Sequence, residues 1–328
     1  MPERLQQYSS SQGSGHGDAA NSLAVPPAAD GQVGRGCQYP TPAASSARDR
    51  QAPRAASSAR GGLSLTARVV IGMLSVMGAG TAMAQNAADD GMVQVPAGPF
   101  TLGSEGKAID EDAAEKPVQT LELPAFRIDR NEVTTAQYCQ FLNAAGKEQD
   151  AQGRACLGPA RMLPIAKADG AWRPLPGREA FPMTGLTWYG AAAYAAWAGK
   201  RLPSEAEWEK AARGPDARKF PWGNTLDASK MRFGQDNIGP VGEKPEGASP
   251  CGCLDMAGNA WEWTRSAFRP YPYVATDGRE DPALTERRVA RGGSWTGEPH
   301  IAHASYRFRP DPTAAYPFLG FRCAKGVE

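Results

Sequence analysis

The chain has 328 residues and carries 36 Lys and Arg against 35 Asp and Glu, so its formal net charge is +1. A nearly neutral chain offers no broad basic surface, which excludes a nucleic acid or an anionic membrane surface as an expected partner. Residues 1–62 are rich in Ser, Ala, Gly, Pro, Gln and Arg and show almost no aliphatic periodicity. Such a segment cannot bury enough apolar surface to offset its ordering entropy, so we predict that it is disordered.

Residues 63–84 have the features of a secretory signal. Arg68 precedes an apolar run over residues 69–82, which ends in the sequence Ala-Met-Ala at residues 82–84. This pattern predicts cleavage before Gln85 and export to the periplasm. The run is short for a transmembrane helix, so we expect no stable membrane span unless the segment is retained as an anchor. Because a signal seldom lies this far from the start, either translation begins downstream of Met1 or the segment is such an anchor.

The remaining residues, 85–328, have the length of one domain. Residues 91–104 alternate apolar and polar side chains before a turn, which predicts a strand or hairpin, and residues 121–128 predict a second strand. A helix is predicted over residues 131–142, because Thr134 and Gln137 can form a capping box and Gly146 can end the helix. Residues 147–180 are interpreted as a long irregular surface segment.

Two further helices are predicted in quick succession. The first covers residues 188–198, with Thr187 as its cap and Gly199 after its last turn. The second lies in residues 201–214, RLPSEAEWEKAARG, where Ser204 and Glu207 make a capping box and Gly214 closes the helix. The side chains of this helix that are free to pack inward are Ala206, Trp208, Ala211 and Ala212. The 8 tryptophans lie between residues 172 and 295 and are expected to supply much of the core.

Five of the 6 cysteines follow the predicted signal, namely Cys139, Cys156, Cys251, Cys253 and Cys323. In an exported protein, an odd count leaves at least one thiol without a disulfide partner. Cys139 and Cys156 either form a disulfide that closes a loop or remain buried, inert thiols. Cys251 and Cys253 lie too close in sequence to bridge each other comfortably.

Several sequence blocks recur in the order typical of one enzyme family. They are MVQVPAGPFTLGS at 92–104, NEVTTAQY at 131–138, TWYGAAAYAAWAGKRLPSEAEWEKAARG at 187–214, FPWG at 220–223, DMAGNAWEW at 255–263, RGGSW at 291–295 and GFR at 320–322. Together they make the chain resemble the formylglycine-generating enzyme (sulfatase-modifying factor) family. The resemblance implies an α+β domain with little regular secondary structure, related in shape to C-type lectin-like domains.

The resemblance also shows where this chain departs from the family's oxidases. Those enzymes use copper and dioxygen, and two cysteines just after the RGGSW motif hold the copper, because soft thiolates select Cu(I). In this chain those positions are Gly297 and Ala302, which cannot ligate a metal. Formylglycine generation by the usual route is therefore not expected. Two other family cysteines are replaced by Ala195 and Ala212, so the resemblance implies that Cys323 has lost its usual disulfide partner.

The resemblance implies one calcium site. Its ligands would be the side chains of Asp255 and Glu262 and the carbonyl oxygens of Gly258 and Ala260, a set of oxygens that suits a hard cation. The alternative is that Asp255 and Glu262 only satisfy amide groups of the loop. A second calcium site of the family is not reproduced by residues 232–236 and is expected to be lost.

The segment after Trp295 contains Glu298, His300 and His303, and these histidines are the only two that follow the predicted signal. Imidazole and carboxylate suit Cu(II), Fe(II) or Zn, and a lone His can act as a general base. We therefore hypothesise a substitute transition-metal or acid–base site here; the alternative is two loop histidines without a function. Further candidates for this site are Ser294 as a catalytic residue and Trp295, Arg307 and Arg309 as substrate-binding residues. The two arginines suit an anionic substrate, or else form structural salt bridges.

The family resemblance leaves three functions open. An exported branch without the copper cysteines takes part in maturing siderophores of the pyoverdine type, so the leading hypothesis is a periplasmic oxidative tailoring enzyme that acts on a peptide-like substrate. The second is a non-catalytic binding or scaffold module on the same fold. The third is formylglycine generation by another thiol, such as Cys323 or Cys251. A sulfoxide-synthase branch needs an additional helical metal-binding domain, which residues 1–84 are not expected to supply.

Overall fold

The computed structural model describes residues 90–105, 113–234, 237–297 and 299–327. The predicted disordered region, residues 1–62, and the predicted signal, residues 63–84, lie outside the described residues. The helices of the described part are α1 (Thr135–Ala145), α2 (Trp188–Trp197) and α3 (Glu205–Arg213). Its strands are β1 (Met92–Val95), β2 (Gly98–Leu102), β3 (Gln119–Leu123), β4 (Phe126–Asp129), β5 (Ile165–Ala168), β6 (Ala171–Pro174), β7 (Trp261–Ala267), β8 (Arg288–Arg291), β9 (Leu319–Phe321) and β10 (Ala324–Gly326).

The strands form small sheets rather than one continuous sheet. One sheet has the order β1-β4-β10 and another has the order β8-β7-β9, in which β7 and β9 run parallel. The pairs β2–β3 and β5–β6 are antiparallel. Short strands, three helices and long connections in the described part confirm the predicted α+β class with little regular secondary structure.

Strands occupy both predicted ranges, residues 91–104 and 121–128, but the hairpin alternative for the first range and the continuity of the second strand are wrong. β1 pairs with β4, whereas β2 pairs with β3, so each predicted unit is split between two sheets. A proline marks each break: Pro96 follows β1, and Pro124 separates β3 from β4. Proline has no N–H to donate to a ladder, so it ends strand pairing at these points.

The three helices begin at the caps that the sequence predicts. Thr134 and Ser204 both make complete capping boxes, with Gln137 and Glu207 respectively, and Gly146 follows α1 in the left-handed conformation with φ of 65°. α1 begins four residues later than predicted, because Thr134 is the cap and has extended backbone angles. Capping therefore defines the start of each helix better than its apolar pattern does.

The segment 147–180 is more ordered than predicted, because it contains the hairpin of β5 and β6. Its two-residue turn is Asp169-Gly170, with positive φ at both residues, 51° and 80°. Asp-Gly is a strong signal for this type of turn, since Gly and Asp tolerate the left-handed conformation. The sequence therefore contained a hairpin signal that the prediction missed.

α3 lies at the centre of the domain. Its predicted inward side chains, Ala206, Trp208, Ala211 and Ala212, are fully buried. The closeness of the packing is visible at Gly292, where a Cβ atom would lie 3.1 Å from the Trp208 ring. Trp208 of α3 therefore packs against the segment that follows β8, and this segment contains the predicted site.

All five described cysteines have free thiols. Cys139 and Cys156 are buried, and burial raises the pKa of each thiol to about 11. The structure thus shows the inert-thiol alternative and not the Cys139–Cys156 disulfide. Across the described ranges, no helix combines the length and apolar character needed to cross a bilayer.

Candidate functional site

The RGGSW segment after β8 is fixed by backbone contacts with the DMAGN block. The Gly258 N–H donates to the Gly292 carbonyl at 2.8 Å, and the Trp295 N–H donates to the Asn259 carbonyl at 2.9 Å. Gly293 has φ of 74°, and a Cβ there would lie 2.9 Å from the Cα of Ala302. The sequence needs glycine here because the segment folds back on itself too closely for a side chain.

The positions that replace the copper cysteines differ in their surroundings. Gly297 is exposed with φ of 112°, whereas Ala302 is fully buried. Ser294, the predicted catalytic serine, is buried, and its hydroxyl donates to the Thr296 carbonyl at 3.0 Å. Glu298 lies outside the described residues.

The two histidines occupy different environments. His300 lies half-buried on a 3-10 turn, Pro299–Ala302. His303 is only 1% exposed, with Nδ1 2.9 Å from the Ser305 hydroxyl and Nε2 3.7 Å from Oε1 of Glu115. Both ring nitrogens of His303 thus face polar protein atoms, a hydroxyl at Nδ1 and a carboxylate at Nε2. A metal bound at Nε2 would lie next to the Glu115 carboxylate, because two ligand atoms with metal bonds of about 2 Å can lie 3.7 Å apart.

Sequence reasoning missed Glu115. It is fully buried at the end of a short 3-10 turn, Ala113–Glu115. No local sequence pattern marks Glu115. Its contact with the segment that carries His300 and His303, called the histidine segment below, forms only after folding. Its carboxylate lies beside His303 and also acts electrostatically on Arg291.

The predicted substrate arginines do not share one environment. Arg307 is buried, and its guanidinium donates to both carboxylate oxygens of Glu205 at 2.7 and 2.9 Å and to two backbone carbonyls, those of Ala114 and Arg269. This is the salt-bridge alternative, so Arg307 does not present its charge to a substrate. Arg309 is half-buried above the Phe268 ring, 5.1 Å from its centroid.

Trp295 keeps part of its ring exposed, although its indole nitrogen is buried. It is half-buried, and its indole Nε1 has no hydrogen-bond partner in the part of the chain that the structure describes. A buried indole N–H normally finds an acceptor. Trp295 and His300 are therefore the predicted site residues of this segment that can reach a ligand.

The two carboxylates of the predicted calcium site are engaged differently. Glu262 accepts two hydrogen bonds of 2.6 Å from Arg322 and one of 2.7 Å from the indole of Trp208. Asp255 accepts from the Gly242 N–H at 2.6 Å and is almost fully buried. Arg322 already neutralises the Glu262 carboxylate, so Glu262 does not need a bound cation.

The Asp255 end fits a cation better, and it involves residues that the prediction did not include. Buried oxygens of Glu132 (Oε2) and Asn131 (Oδ1) have no hydrogen-bond partner among the described residues. Burial, followed by the charges of Asp255 and Glu262, raises the pKa of Glu132 well above its usual range. Two buried carboxyl groups in contact, with the charge of Arg322 as their nearby compensation, offer oxygens that a hard cation would satisfy. The donor chemistry thus fits calcium at Asp255 with Glu132, rather than across to Glu262.

Calcium is expected to raise the thermal unfolding temperature of the protein. At a calcium concentration 100 times Kd, the stabilisation would be about 2.7 kcal/mol. The measurement is thermal unfolding by circular dichroism in EDTA and in millimolar calcium. Asp255→Asn should abolish the shift, while Asp150→Asn, a matched change at a buried carboxylate paired with Arg154, should keep it. An equal shift in both variants, or none in the wild type, would refute this site.

No group of three or more His, Cys, Asp and Glu side chains is arranged to hold a metal ion within residues 90–105, 113–234, 237–297 and 299–327. A cavity of about 500 Å³ is lined by other residues than those of the predicted site. Its walls include Arg154, Leu157, Tyr189 and Thr313 and none of the predicted site residues. The histidine segment and this cavity are thus separate features.

Known proteins resemble this chain over most of its length. The family model for a sulfatase-modifying factor enzyme 1-like domain matches residues 79–327. The formylglycine-generating enzyme of Streptomyces coelicolor is 33% identical over 291 residues, which cover 73% of this chain and 90% of that enzyme. Hercynine oxygenase of Mycolicibacterium smegmatis is 36% identical over 270 residues, with coverages of 72% and 61%.

Other relatives extend well beyond the matched region. The serine/threonine-protein kinase Pkn1 of Chlamydia trachomatis serovar L2 is 36% identical over 243 residues, and the chain spans only 38% of its length. Among solved structures, PvdO from Pseudomonas aeruginosa matches with a TM-score of 0.58 at 24% identity, covering 72% of this chain and 94% of that protein. This structural likeness confirms the fold. The chain therefore belongs to the sulfatase-modifying factor family, the family of the formylglycine-generating enzymes.

Proposed function

We propose that this chain is an exported enzyme of the sulfatase-modifying factor family that oxidises a peptide-like substrate in the periplasm, as in siderophore maturation. Two relatives of its domain have names that denote oxidative enzymes, hercynine oxygenase and formylglycine-generating enzyme. The export step rests on the signal-like residues 63–84 and the predicted cleavage before Gln85.

One observation carries the proposal. The segment that replaces the copper cysteines keeps a built arrangement, in which His303 stands buried against Glu115 at 3.7 Å while His300 and Trp295 stay half-buried. Burying an imidazole beside a carboxylate costs desolvation free energy, so this arrangement supports a retained role for the segment.

The solvent exposure of each residue of the histidine segment indicates the role that we assign to it. His300 and Trp295 can contact a substrate, and His300 is of the residue type that most often acts as general acid or base. His303 and Glu115 are buried and therefore act as positioning residues. Ser294, whose hydroxyl is bonded to a backbone carbonyl, holds the turn. A transition metal hypothesised at His300 and His303 would draw its carboxylate oxygen from Glu298, as the sequence predicts, or from Glu115 beside His303.

Comparative mass spectrometry of cells tests the proposal. Periplasmic and cytoplasmic fractions would be compared between cells that express the wild type and cells that express His300→Ala. We expect the protein in the periplasm, and peptide metabolites that differ by loss of two hydrogens or gain of one oxygen only with the wild type. Identical peptide profiles in the presence of folded, correctly located protein would contradict an oxidative role.

A second function, a non-catalytic binding module, is favoured by a different observation. Ser294, His303 and Arg307 are all buried with protein partners, and the cavity of about 500 Å³ lies away from them. In that case a peptide would bind without chemical change. Peptide binding that responds to Arg154→Ala and not to His300→Ala would favour the module over the enzyme.

A further inference from the structure

Residues 249–253, Ser-Pro-Cys-Gly-Cys, form a closed turn just before the DMAGN block. The Ser249 N–H donates to the Cys253 carbonyl at 2.8 Å, and the Cys253 N–H donates to the Ser249 hydroxyl at 3.1 Å. The Gly252 N–H also donates to the Ser249 carbonyl at 2.9 Å. Three hydrogen bonds within five residues hold this turn in one conformation.

The turn brings two thiols together. Sγ of Cys251 lies 3.6 Å from Sγ of Cys253. Gly252 between them has φ of 90°, and a Cβ there would touch only Val93, at 3.9 Å. In an extended Cys-x-Cys segment the two side chains share a face but their residues lie roughly 6.6 Å apart along the strand, whereas the left-handed glycine folds the chain and brings the two sulfurs close together. Sequence spacing alone therefore underestimates how readily these cysteines can approach.

The two thiols are not equivalent. Cys251 is half-buried and accessible, whereas Cys253 is fully buried behind it. Cys251 also lies 3.3 Å from the Ser249 hydroxyl and, as a thiol, donates to the Ala211 carbonyl at 3.2 Å. One sulfur can thus meet a reagent from solvent, while the other can reach only its neighbour.

We infer that Cys251 and Cys253 form a redox-active dithiol that exchanges with low-molecular-weight disulfides, with Cys251 as the attacking sulfur and Cys253 as the resolving sulfur. The pair lies outside the histidine segment and takes no part in the proposed oxidation. Closing the bridge requires the sulfurs to approach by about 1.6 Å, from 3.6 Å to a bond of about 2.0 Å. Rotation about the side-chain bonds can supply this movement without opening the turn.

The electrostatic environment supports these roles. The hydrogen bond from the Cys253 thiol, with further help from Ser249 and the charge of Arg322, lowers the pKa of Cys251 to about 6 despite burial. Cys253 is fully buried 3.6 Å behind it and can reach only the Cys251 sulfur, which is the position of a resolving thiol. A thiolate is the nucleophile in thiol–disulfide exchange, so the accessible sulfur is also the reactive one.

The exchange can be written with oxidised glutathione. The Cys251 thiolate attacks one glutathione sulfur, the glutathione S–S bond breaks, and one glutathione leaves as a thiolate. Cys253 then gives up its proton and attacks the Cys251 sulfur, which releases the second glutathione. Two protein thiols are oxidised to one disulfide and one glutathione disulfide is reduced to two thiols, so electrons and protons balance.

Alkylation and mass spectrometry of the full-length chain test this inference. The reduced protein would be incubated with oxidised glutathione and then alkylated and digested. The wild type should carry a 251–253 disulfide and no glutathione, while Cys253→Ser should accumulate one glutathione on Cys251 and Cys251→Ser should show neither product. Cys139→Ser, a matched change at a buried thiol, should behave as the wild type.

Reactivity gives a second readout that does not depend on the bridge. At pH 6.5, Cys251 of the folded protein should react with iodoacetamide roughly tenfold or more faster than Cys139, and the two should react alike after unfolding. Circular dichroism would confirm that each variant is folded. A stable glutathione adduct on wild-type Cys251, or thiols that remain unmodified in all folded variants, would overturn the inference.

Discussion

Glu205→Gln is expected to lower the free energy of unfolding by about 3–5 kcal/mol, because it removes the carboxylate that pairs with one buried arginine and weakens the pairing of two others. Glu205 is fully buried and pairs with Arg307 at 2.7 Å, Arg291 at 3.2 Å and Arg279 at 3.4 Å. Arg279 and Arg291 keep other carboxylates, Asp277 and Glu209. Among the described residues, Arg307 keeps two backbone carbonyls and the faces of the Phe268 and Tyr271 rings, but no carboxylate. Chemical denaturation followed by tryptophan fluorescence measures the change.

The control for this prediction is an exposed pair. Asp90 contacts Arg127 at 2.6 Å, but its side chain is 40% exposed, so solvent screens the pair and Asp90→Asn should cost no more than about 1 kcal/mol. Equal unfolding midpoints for Glu205→Gln and the wild type would show that the buried cluster does not stabilise the fold.

The acid limb of the stability curve gives an independent check on Glu205. Burial alone would raise the pKa of Glu205, but the charges of Arg307, Arg291 and Arg279 outweigh burial and hold the pKa below its ordinary value. A depressed pKa contributes stability above the unfolded-state pKa, and this stability is lost as the pH falls through the folded-state pKa. The wild type should therefore lose stability more steeply in acid than Glu205→Gln does.

Arg322→Met is expected to cost a similar amount, about 3–5 kcal/mol. The change would leave the fully buried Glu262 with only the Trp208 indole as a partner, and it would also remove donors from the backbone carbonyls of Asp129, Arg130 and Leu254. These contacts tie β9 and the GFR block to β4 and to the DMAGN block. Thermal unfolding of the variant measures the loss.

A matched control exists at Arg201. Its guanidinium also makes two hydrogen bonds to one carboxylate, that of Glu207, both at 2.7 Å, but its side chain is 32% exposed. Arg201→Met should therefore cost clearly less than Arg322→Met. If the two substitutions cost the same, burial does not govern the strength of these pairs.

The sequence predicted those parts of the fold that depend on neighbouring residues. Helix starts at Thr134 and Ser204 were predictable because a cap and its partner lie three residues apart. Strand pairing was not, because β1 and β2 are adjacent in sequence but pair with different partners. The Asp169-Gly170 turn shows that a local signal was present and missed, whereas the pairing of β1 with β4 has no local signal.

The candidate site likewise has features that the sequence predicts and contacts that appear only in the folded structure. The segment 294–303 was recognisable from its position after the RGGSW block, but the contact of His303 with Glu115 joins residues from distant parts of the chain. The same holds for Glu132, which meets Asp255 only after folding. Arg307 looked like a substrate ligand in sequence because its charge is visible there, while its partner Glu205 lies on another element.

Dioxygen uptake by the purified full-length chain tests the proposed oxidative role most directly. The assay would use a periplasmic peptide extract as substrate and compare the wild type with His300→Ala and with Lys167→Ala, a change at an exposed residue of β5. We predict substrate-dependent uptake in the wild type and in Lys167→Ala, and a loss of roughly 100-fold in His300→Ala, the size expected for removing a general acid or base. Uptake that is absent in all three folded proteins, or equal in all three, would contradict an oxidation site at the histidine segment.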